Sequence, residues 1–518
     1  MPYKSEAFIE ILDTTLRDGE QTPGVSFSPA EKLAIAKCLL THLRVDRIEI
    51  GSARGSDSEK DSLRSLCAWA SRKGYLDALE ILGFIDDGKS VEWISATGCR
   101  TVNLLAKGSP RHCRVQLRKS PDRHFNDVCR EISRAVDAGL AVNVYLEDWS
   151  NGMKDDFGYV YGLVSRIAEL PVKKVMLADT LGVLTPGSTA EYCKWMVSSF
   201  KNLAFDFHGH NDYGLVTANS LAAVNSGITA VHTSINGLGE RAGNQPLSQL
   251  CAAVNDLTDC RLRVQEKELC NASALLEAVT GKRMAWNYPV VGSDVYTQTC
   301  GVHADGDRKG ELYVNLLMPE RFGRRRDYAL GKLAGMASLD QNLEQLPGLP
   351  KLDDSLREKV LAEVIRLSEK KKNVSASDLP FIVSSVMRSP GLAGIKVVDF
   401  ESVCRLGAAP AMKVRLSVYG KEVESTARGD GTYDAFVKAL KKCLKPLGFA
   451  LPKLVDYQVR IPPGGRTDAI VETTICWQIS SGRRIISSAV DSDQLFAAIQ
   501  ATEKMLNTIF PAPAETEQ

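Results

Sequence analysis

Several things are scarce or missing in this 518-residue sequence, and each absence removes a class of function. Net charge is nearly absent: 64 Lys and Arg against 63 Asp and Glu leave +1, no electrostatic footprint for nucleic acid or anionic membrane. Charges interrupt every apolar run before it reaches spanning length, and the opening MPYKSEAFIE has no apolar core of the signal-peptide kind. Thirteen cysteines are scattered without a CxxC pair, which excludes a zinc ribbon or disulfide frame and reads as reduced, mostly buried thiols. No early GxGxxG supports a dinucleotide-binding sheet. What remains is a cytoplasmic protein with no nucleic-acid or membrane partner. It is too long for one core, so two or three domains are expected.

From residue 8 to about 258 the chain alternates short β-rich runs with amphipathic stretches. The strand candidates are FIEILDTTL (8–16), DRIEIGS (46–52), ALEILGFI (78–85) and TVNLLAKG (101–108). They continue with AVNVYLEDW (141–149), KKVMLADT (173–180), LAFDFHGH (203–210) and AVHTSING (230–237). Helical patterns lie between them, such as PAEKLAIAKCLLTHL, where Pro29 follows Ser28 in a good N-terminal cap pairing. Eight β-then-α units in about 250 residues predict a (β/α)8 TIM barrel, α/β in class, over residues 1–280. Residues 281–395 turn polar and Gly-rich, then basic (RFGRRRDYALGK), then helical and charged, which reads as small linker subdomains. From 396 to 518 two β-rich runs are each closed by a helix, TYDAFVKALKKCLKPLG and SDQLFAAIQATEKMLNTI. They predict an internal β-β-β-α duplication in a C-terminal α+β domain, with PAPAETEQ as a frayed tail.

In such a barrel the chemistry-bearing side chains stand at the C-terminal ends of the strands. Strand one closes with LDTTLRDGEQTPG, which carries Arg17 and Asp18; taken alone, RDGE beside Gly reads as a solvated turn. Strand five ends with Tyr145 and Glu147, strand six with Asp179 and Thr180, and strand seven with His208 and His210. Strand eight runs into NGLGERAGN, ending at Asn244. Residues i and i+2 share a strand face, so both His can point into one mouth, although a lone HxH is more often a solvent-exposed pair. Strands one and seven lie two apart around a closed barrel of eight, which brings Asp18 to that pair. One Asp and two His leave open coordination positions, the pattern of a catalytic rather than a structural metal site, and Asn244 offers a further carbonyl oxygen. The set suits Zn²⁺, Mn²⁺ or Mg²⁺.

Together LDTTLRDGEQTPG, FHGHND and NGLGERAGN resemble the Claisen-condensing synthases of the DRE-TIM metallolyase superfamily, which holds isopropylmalate, homocitrate and citramalate synthases. The resemblance spans nearly the whole chain, including a C-terminal part like the family's allosteric domain. It implies condensation of acetyl-CoA, the co-substrate, with a 2-oxo acid held on a divalent metal. Leu82, Leu105, Tyr145, Thr180, His303 and Tyr313 fall where the pyruvate-using branch has its pyruvate-site and catalytic residues. Pyruvate is therefore the implied oxo acid, and (R)-citramalate, on the way to isoleucine, the implied product. Arg17 would steady the oxygen that becomes negative, Thr180 would bind the carboxylate, and Tyr145 would position the substrate. His303, in GVHADG, is the implied base for the acetyl methyl proton, with Glu147 as acid partner and Tyr313 assisting.

In that family the base comes from the neighbouring protomer, which implies a homodimer with shared sites. The GLGERAG loop resembles the region near the CoA thioester. Around GDGTYDAF the sequence resembles the family's effector domain, with isoleucine as the implied inhibitor and Tyr433, Asp434, Leu454 and Tyr457 around it. The plainer reading makes Tyr433 and Leu454 core residues and Asp434 a helix cap. The alternatives are 2-isopropylmalate synthase, homocitrate synthase, a metal-dependent lyase and a non-catalytic amino-acid sensor. A retro-aldol or retro-Claisen lyase needs no regulatory domain of this kind. Intact Arg17, Asp18, Glu147, His208 and His210 argue against a decayed sensor.

Overall fold

Eight parallel strands close into the barrel that the strand–helix alternation predicts. They are β1 (Glu10–Asp13), β2 (Arg47–Ser52), β3 (Leu79–Phe84) and β4 (Thr101–Lys107). β5 (Ala141–Glu147), β6 (Val172–Asp179), β7 (Ala204–Gly209) and β8 (Ala230–Thr233) complete it, and β1 closes the sheet by pairing with both β2 and β8. The computed structural model describes residues 7–299, 301–310, 312–344, 352–370, 374, 378–387, 394–460, 471–479 and 484–510. The chain divides into two compact units, 1–296 with 315–325, and 297–314 with 326–518. The stretch 281–395 is thus shared between them.

Two strands end earlier than their apolar runs, for local reasons. The Thr14 carbonyl accepts the backbone N–H groups of Arg17, Asp18 and Gly19, which curls the chain over directly after β1. β8 stops where Ile235–Gly237 coils, with Asn236 in the left-handed region at φ 60°. The first helix, Pro29–Lys37, opens with a capping box between Ser28 and Glu31 and continues as a π-helical turn, Cys38–Leu43.

Successive residues of a strand face opposite sides, and here the two sides differ in chemistry. Outward residues such as Ile11, Ile48, Ile81, Leu104, Val144, Leu177 and Phe207 are fully buried against the surrounding helices in one large core. The inward face holds a small apolar cluster of Leu12, Leu82, Tyr145, Met176 and Ala178, with Phe84 and Leu105 packed on it. Toward the N-terminal strand ends the inward positions carry charge. Arg47 pairs with Glu10, Glu80 and Asp206, and Lys174 with Glu10 and Asp206. Burying such groups is costly unless they are paired, and these are.

The second unit contains the expected duplication. Strands β9 (Ile395–Arg405), β10 (Ala408–Val418) and β11 (Lys421–Arg428) form one antiparallel sheet, followed by helix Thr432–Leu444. β12 (Lys453–Arg460), β13 (Val471–Gln478) and β14 (Arg484–Asp491) form another, followed by helix Gln494–Ile509. Both halves bury one core that includes Met412, Leu416, Phe436, Leu440, Ile475, Trp477 and Met505. Among the described residues, no helix is long and apolar enough to cross a membrane.

Candidate metal centre and active site

The run RDGE does not behave as a solvated turn. Asp18 is 1% exposed, and the Arg17 side chain is largely buried beside it. Glu20 points the other way: it accepts the Phe27 backbone N–H at 2.9 Å and pairs at 2.8 Å with Lys32, a buried lysine that also pairs with Glu59. One turn therefore sends two charges into the barrel mouth and uses a third to pin itself to the first helix.

At the mouth, Asp18, His208 and His210 offer ligand atoms that all lie within 4.8 Å of one another. His208 Nε2 stands 3.3 Å from His210 Nε2 and 3.3 Å from Asp18 Oδ2, and His210 Nε2 lies 4.0 Å from the same oxygen. Ligands bound about 2.0–2.2 Å from a single ion stand about 3.0–3.5 Å apart in four- to six-coordinate geometry. Burial pushes both imidazoles down to about 4, only partly offset at His208 by its hydrogen bond to Asp18. Their nitrogens are thus neutral donors at pH 7. Burial raises the Asp18 carboxyl, but Arg17, His208 and His210 outweigh it and hold the group well below the usual carboxylate range. Asp18 Oδ1, His210 Nδ1 and Asn244 Oδ1 are buried without a hydrogen-bond partner. Asn244 is bridged to His210 by the backbone and spends its Nδ2 on the Leu238 carbonyl at 3.2 Å. The donor set and its orphaned oxygens fit a divalent ion.

The loop carrying Asn244 is clasped to the neighbouring strand ends. Arg241 donates to both Asp212 oxygens at 2.8 and 3.0 Å and to the Thr180 carbonyl at 2.7 Å. Gly243, at φ 86°, sits so close to the Gly237 carbonyl that a Cβ would meet it at 2.0 Å. The Gly residues of this loop therefore answer to its own geometry.

Around the triad, Arg17 is held on three sides. Its Nε donates to Glu49 Oε2 at 2.5 Å, its Nη2 to the Tyr145 hydroxyl at 3.2 Å, and its Nη1 lies 3.1 Å from Asp18. Tyr145 stands edge-on to His208, with centroids 5.7 Å apart, and shares the apolar cluster with Leu82 and Leu105. Thr180 Oγ1 accepts the Asp148 backbone N–H at 2.8 Å, which leaves its hydroxyl proton free to donate. Glu147 ends β5 directly opposite Lys107, which ends β4, and the two form an ion pair.

Sequence reasoning missed Glu49, Lys107, Asn103, Asp206 and His232. Asn103 donates to Glu49 at 2.8 Å, and His232 lies 3.0 Å from the Tyr145 hydroxyl and 3.3 Å from Asp206. A signal existed. Each sits at an inward position of an otherwise apolar strand, where period two leads to the residues at the mouth.

In the second unit, His303 lies on helix Gly301–Gly310, exposed and stacked on Tyr313 with centroids 4.1 Å apart. Gly306 makes room for that ring, since a Cβ there would meet Tyr313 at 2.5 Å. The Tyr313 N–H donates to Asp307, which also accepts from Gln298 and Arg326. Tyr433 bonds Thr502 at 2.7 Å and meets Tyr457 at 4.8 Å between centroids. The Asp434 carboxylate is already engaged, by Lys438 at 2.7 Å and the Asp430 N–H at 3.0 Å. Leu454 is 38% exposed on β12, opposite Trp477.

Comparisons with known proteins identify the family. Residues 8–276 match the HMGL-like family, and residues 373–510 match the LeuA allosteric (dimerisation) domain. The chain is 32% identical to the (R)-citramalate synthase of Methanocaldococcus jannaschii, over 97% of this chain and 99% of that one. It is 31% identical to a Methanopyrus kandleri protein named "Probable 2-isopropylmalate synthase", over 97% of this chain and 98% of that one. Among solved structures, the Bacillus subtilis HMG-CoA lyase aligns at 20% identity and TM-score 0.47, over 56% of this chain and 98% of its own.

Proposed function

The chain belongs to the HMGL-like family, with relatives named as citramalate and isopropylmalate synthases over 97% of its length, and from that premise we propose that it condenses acetyl-CoA with pyruvate and water to give (R)-citramalate and CoA. It is an acyltransferase of this family. The finer reading rests chiefly on one observation: Tyr145 belongs both to the contacts of Arg17 and His208 and to the small apolar cluster with Leu82 and Leu105. Leucines beside the groups that would hold the oxo acid favour a short side chain on it.

A divalent ion held by Asp18, His208 and His210, with Asn244 in reach, would supply Lewis-acid polarisation of the ketone. Arg17, which stays charged because Glu49 and Asp18 outweigh its burial, holds the ketone oxygen as negative charge develops there. Thr180 donates its free hydroxyl proton to the substrate carboxylate. The acetyl methyl proton goes to His303, and the resulting carbanion forms the C–C bond to C2 of pyruvate. Glu147 serves as acid partner, Tyr313 assists His303, and the alkoxide takes up a proton. Water then cleaves the thioester, releasing the carboxylic acid and the CoA thiol. His303 and Tyr313 come from the neighbouring chain of a homodimer. The C-terminal domain, of a kind named for allostery and dimerisation, binds isoleucine near Tyr433, Asp434, Leu454 and Tyr457 as a feedback inhibitor.

Thiol release from acetyl-CoA, measured with pyruvate, 2-oxobutyrate, 2-oxoisovalerate and 2-oxoglutarate, tests the reading. The largest kcat/KM is expected for pyruvate, with (R)-citramalate as product. A preference for 2-oxoisovalerate would establish the isopropylmalate reaction instead.

A further inference from the structure

The barrel interior carries a buried Tyr–His–Asp chain whose His232 and Asp206 the reaction scheme does not use. Resting on the functional reading above, we propose that His232, oriented by Asp206, is a positioning residue that accepts the Tyr145 hydroxyl hydrogen bond and so leaves Glu49 undivided to hold Arg17 at the substrate. Tyr145 is 2% exposed, His232 1%, and Asp206 and Glu49 fully buried, so these groups depend on one another for partners.

The Tyr145 hydroxyl lies 3.0 Å from His232 Nδ1, 3.2 Å from Arg17 Nη2 and 3.4 Å from Glu49 Oε2. Arg17 can only donate, and a phenol has one proton to give. That proton goes either to His232 or to Glu49. The choice is made on the far side of the imidazole. His232 Nε2 lies 3.3 Å from Asp206 Oδ2, and Asp206 also takes Arg47 at 2.6 Å and Lys174 at 3.5 Å. A carboxylate so paired accepts only, so Nε2 carries the hydrogen and Nδ1 presents its lone pair to Tyr145. The Tyr145 oxygen then accepts from Arg17. Glu49 Oε1 is occupied by Asn103 at 2.8 Å, and Oε2 keeps its 2.5 Å contact with Arg17 Nε. Without an acceptor at Nδ1 the tyrosine proton turns to Glu49 Oε2, where it competes with Arg17. The guanidinium plane loses its anchor at the point where it must meet developing charge.

Side-chain geometry supplies a sharp test, since Asn places an oxygen near the position of His Nδ1 and Gln places its amide near Nε2. His232→Asn keeps an acceptor for Tyr145 and is expected to retain kcat within about threefold. His232→Gln keeps the Asp206 contact and loses the acceptor; kcat should fall about 10- to 100-fold, the range for a lost hydrogen bond to a charged group. In a Tyr145→Phe background the hydroxyl is gone, and His232→Gln should then change kcat by less than about twofold. Metal content and thermal midpoint are recorded for every variant, and His232→Met closes the same cycle if the Gln variant does not fold. Independently of turnover, nitrogen-15 spectra of histidine-labelled protein should show His232 protonated on Nε2.

The cycle is run with whichever 2-oxo acid the wild type turns over fastest, so a wrong oxo acid fails the functional reading alone. An equal loss from His232→Gln with and without the Tyr145 hydroxyl, or a ring protonated on Nδ1, overturns the inference.

Discussion

Replacing Leu82 by Ala should loosen the choice of oxo acid. Leu82 is 6% exposed and sits on the inward face of β3 with Tyr145, Met176 and Leu105. The isopropyl group of 2-oxoisovalerate carries two more carbons than the methyl group of pyruvate. Forcing such a group into a filled space costs about 1–3 kcal/mol, or about 5- to 150-fold in kcat/KM. Leu→Ala removes three carbons from the wall, enough to seat the branched group, so the pyruvate preference should fall toward unity. The gain should come mostly from faster turnover of the branched acid. The same change removes buried contacts, and stability should drop by about 2–5 kcal/mol, read from urea denaturation. Leu104→Ala is the control: Leu104 is fully buried but faces the helices, so it should destabilise equally and leave the substrate ratio unchanged. The assay is thiol release at several concentrations of each oxo acid. An unaltered ratio in Leu82→Ala, or an equal shift in Leu104→Ala, would refute the pocket assignment.

Glu147→Gln and His303→Ala should each lower kcat by about 100-fold or more without changing metal content, and mixing His303→Ala with Asp18→Asn chains should restore part of the activity if the base crosses between subunits. Acidification should destabilise the metal-free protein: burial holds His124, His208 and His210 at about 4, so below about 6.5 the unfolded chain takes protons that the folded chain refuses. Stability is then full above about pH 6.5 and falls toward pH 4. Asp13, raised by burial to about 6, runs the other way between about 6 and 3.8. Each of these His contributes about 2 kcal/mol of loss between pH 6.5 and 5, and equal urea midpoints at pH 7 and 5 would contradict it. Isoleucine should inhibit the full chain by a coupling of about 1–3 kcal/mol and have no effect on a chain ended after residue 395; inhibition by leucine alone would remove both the effector and the pyruvate assignments.

Much of the fold was legible because barrel strands are short, apolar and regularly spaced, and all eight β-runs became strands. The β-β-β-α duplication was legible for the same reason. The convergence of Asp18, His208 and His210 followed from placing residues at strand ends of a closed sheet. Glu49 and His232 escaped notice because their partners lie far away in sequence: Tyr145 is 96 residues from Glu49 and 87 from His232. A polar residue inside an apolar strand announces burial but not its partner. The opening RDGE was ambiguous on composition alone, and only the Thr14 carbonyl, gathering three N–H groups, decides which charges turn inward. The polar stretch after residue 281 carried no periodicity that would divide it between two units, as contacts do.

The most direct measurement is thiol release from acetyl-CoA and pyruvate by chelator-stripped protein, titrated with Mn²⁺ and compared with Asp18→Asn and His208→Ala. Activity should return with one equivalent of metal per chain in the wild type. Neither variant should recover or retain the ion, while both keep the wild-type circular dichroism spectrum. Full thiol release without metal, or recovery in either variant, would contradict the account.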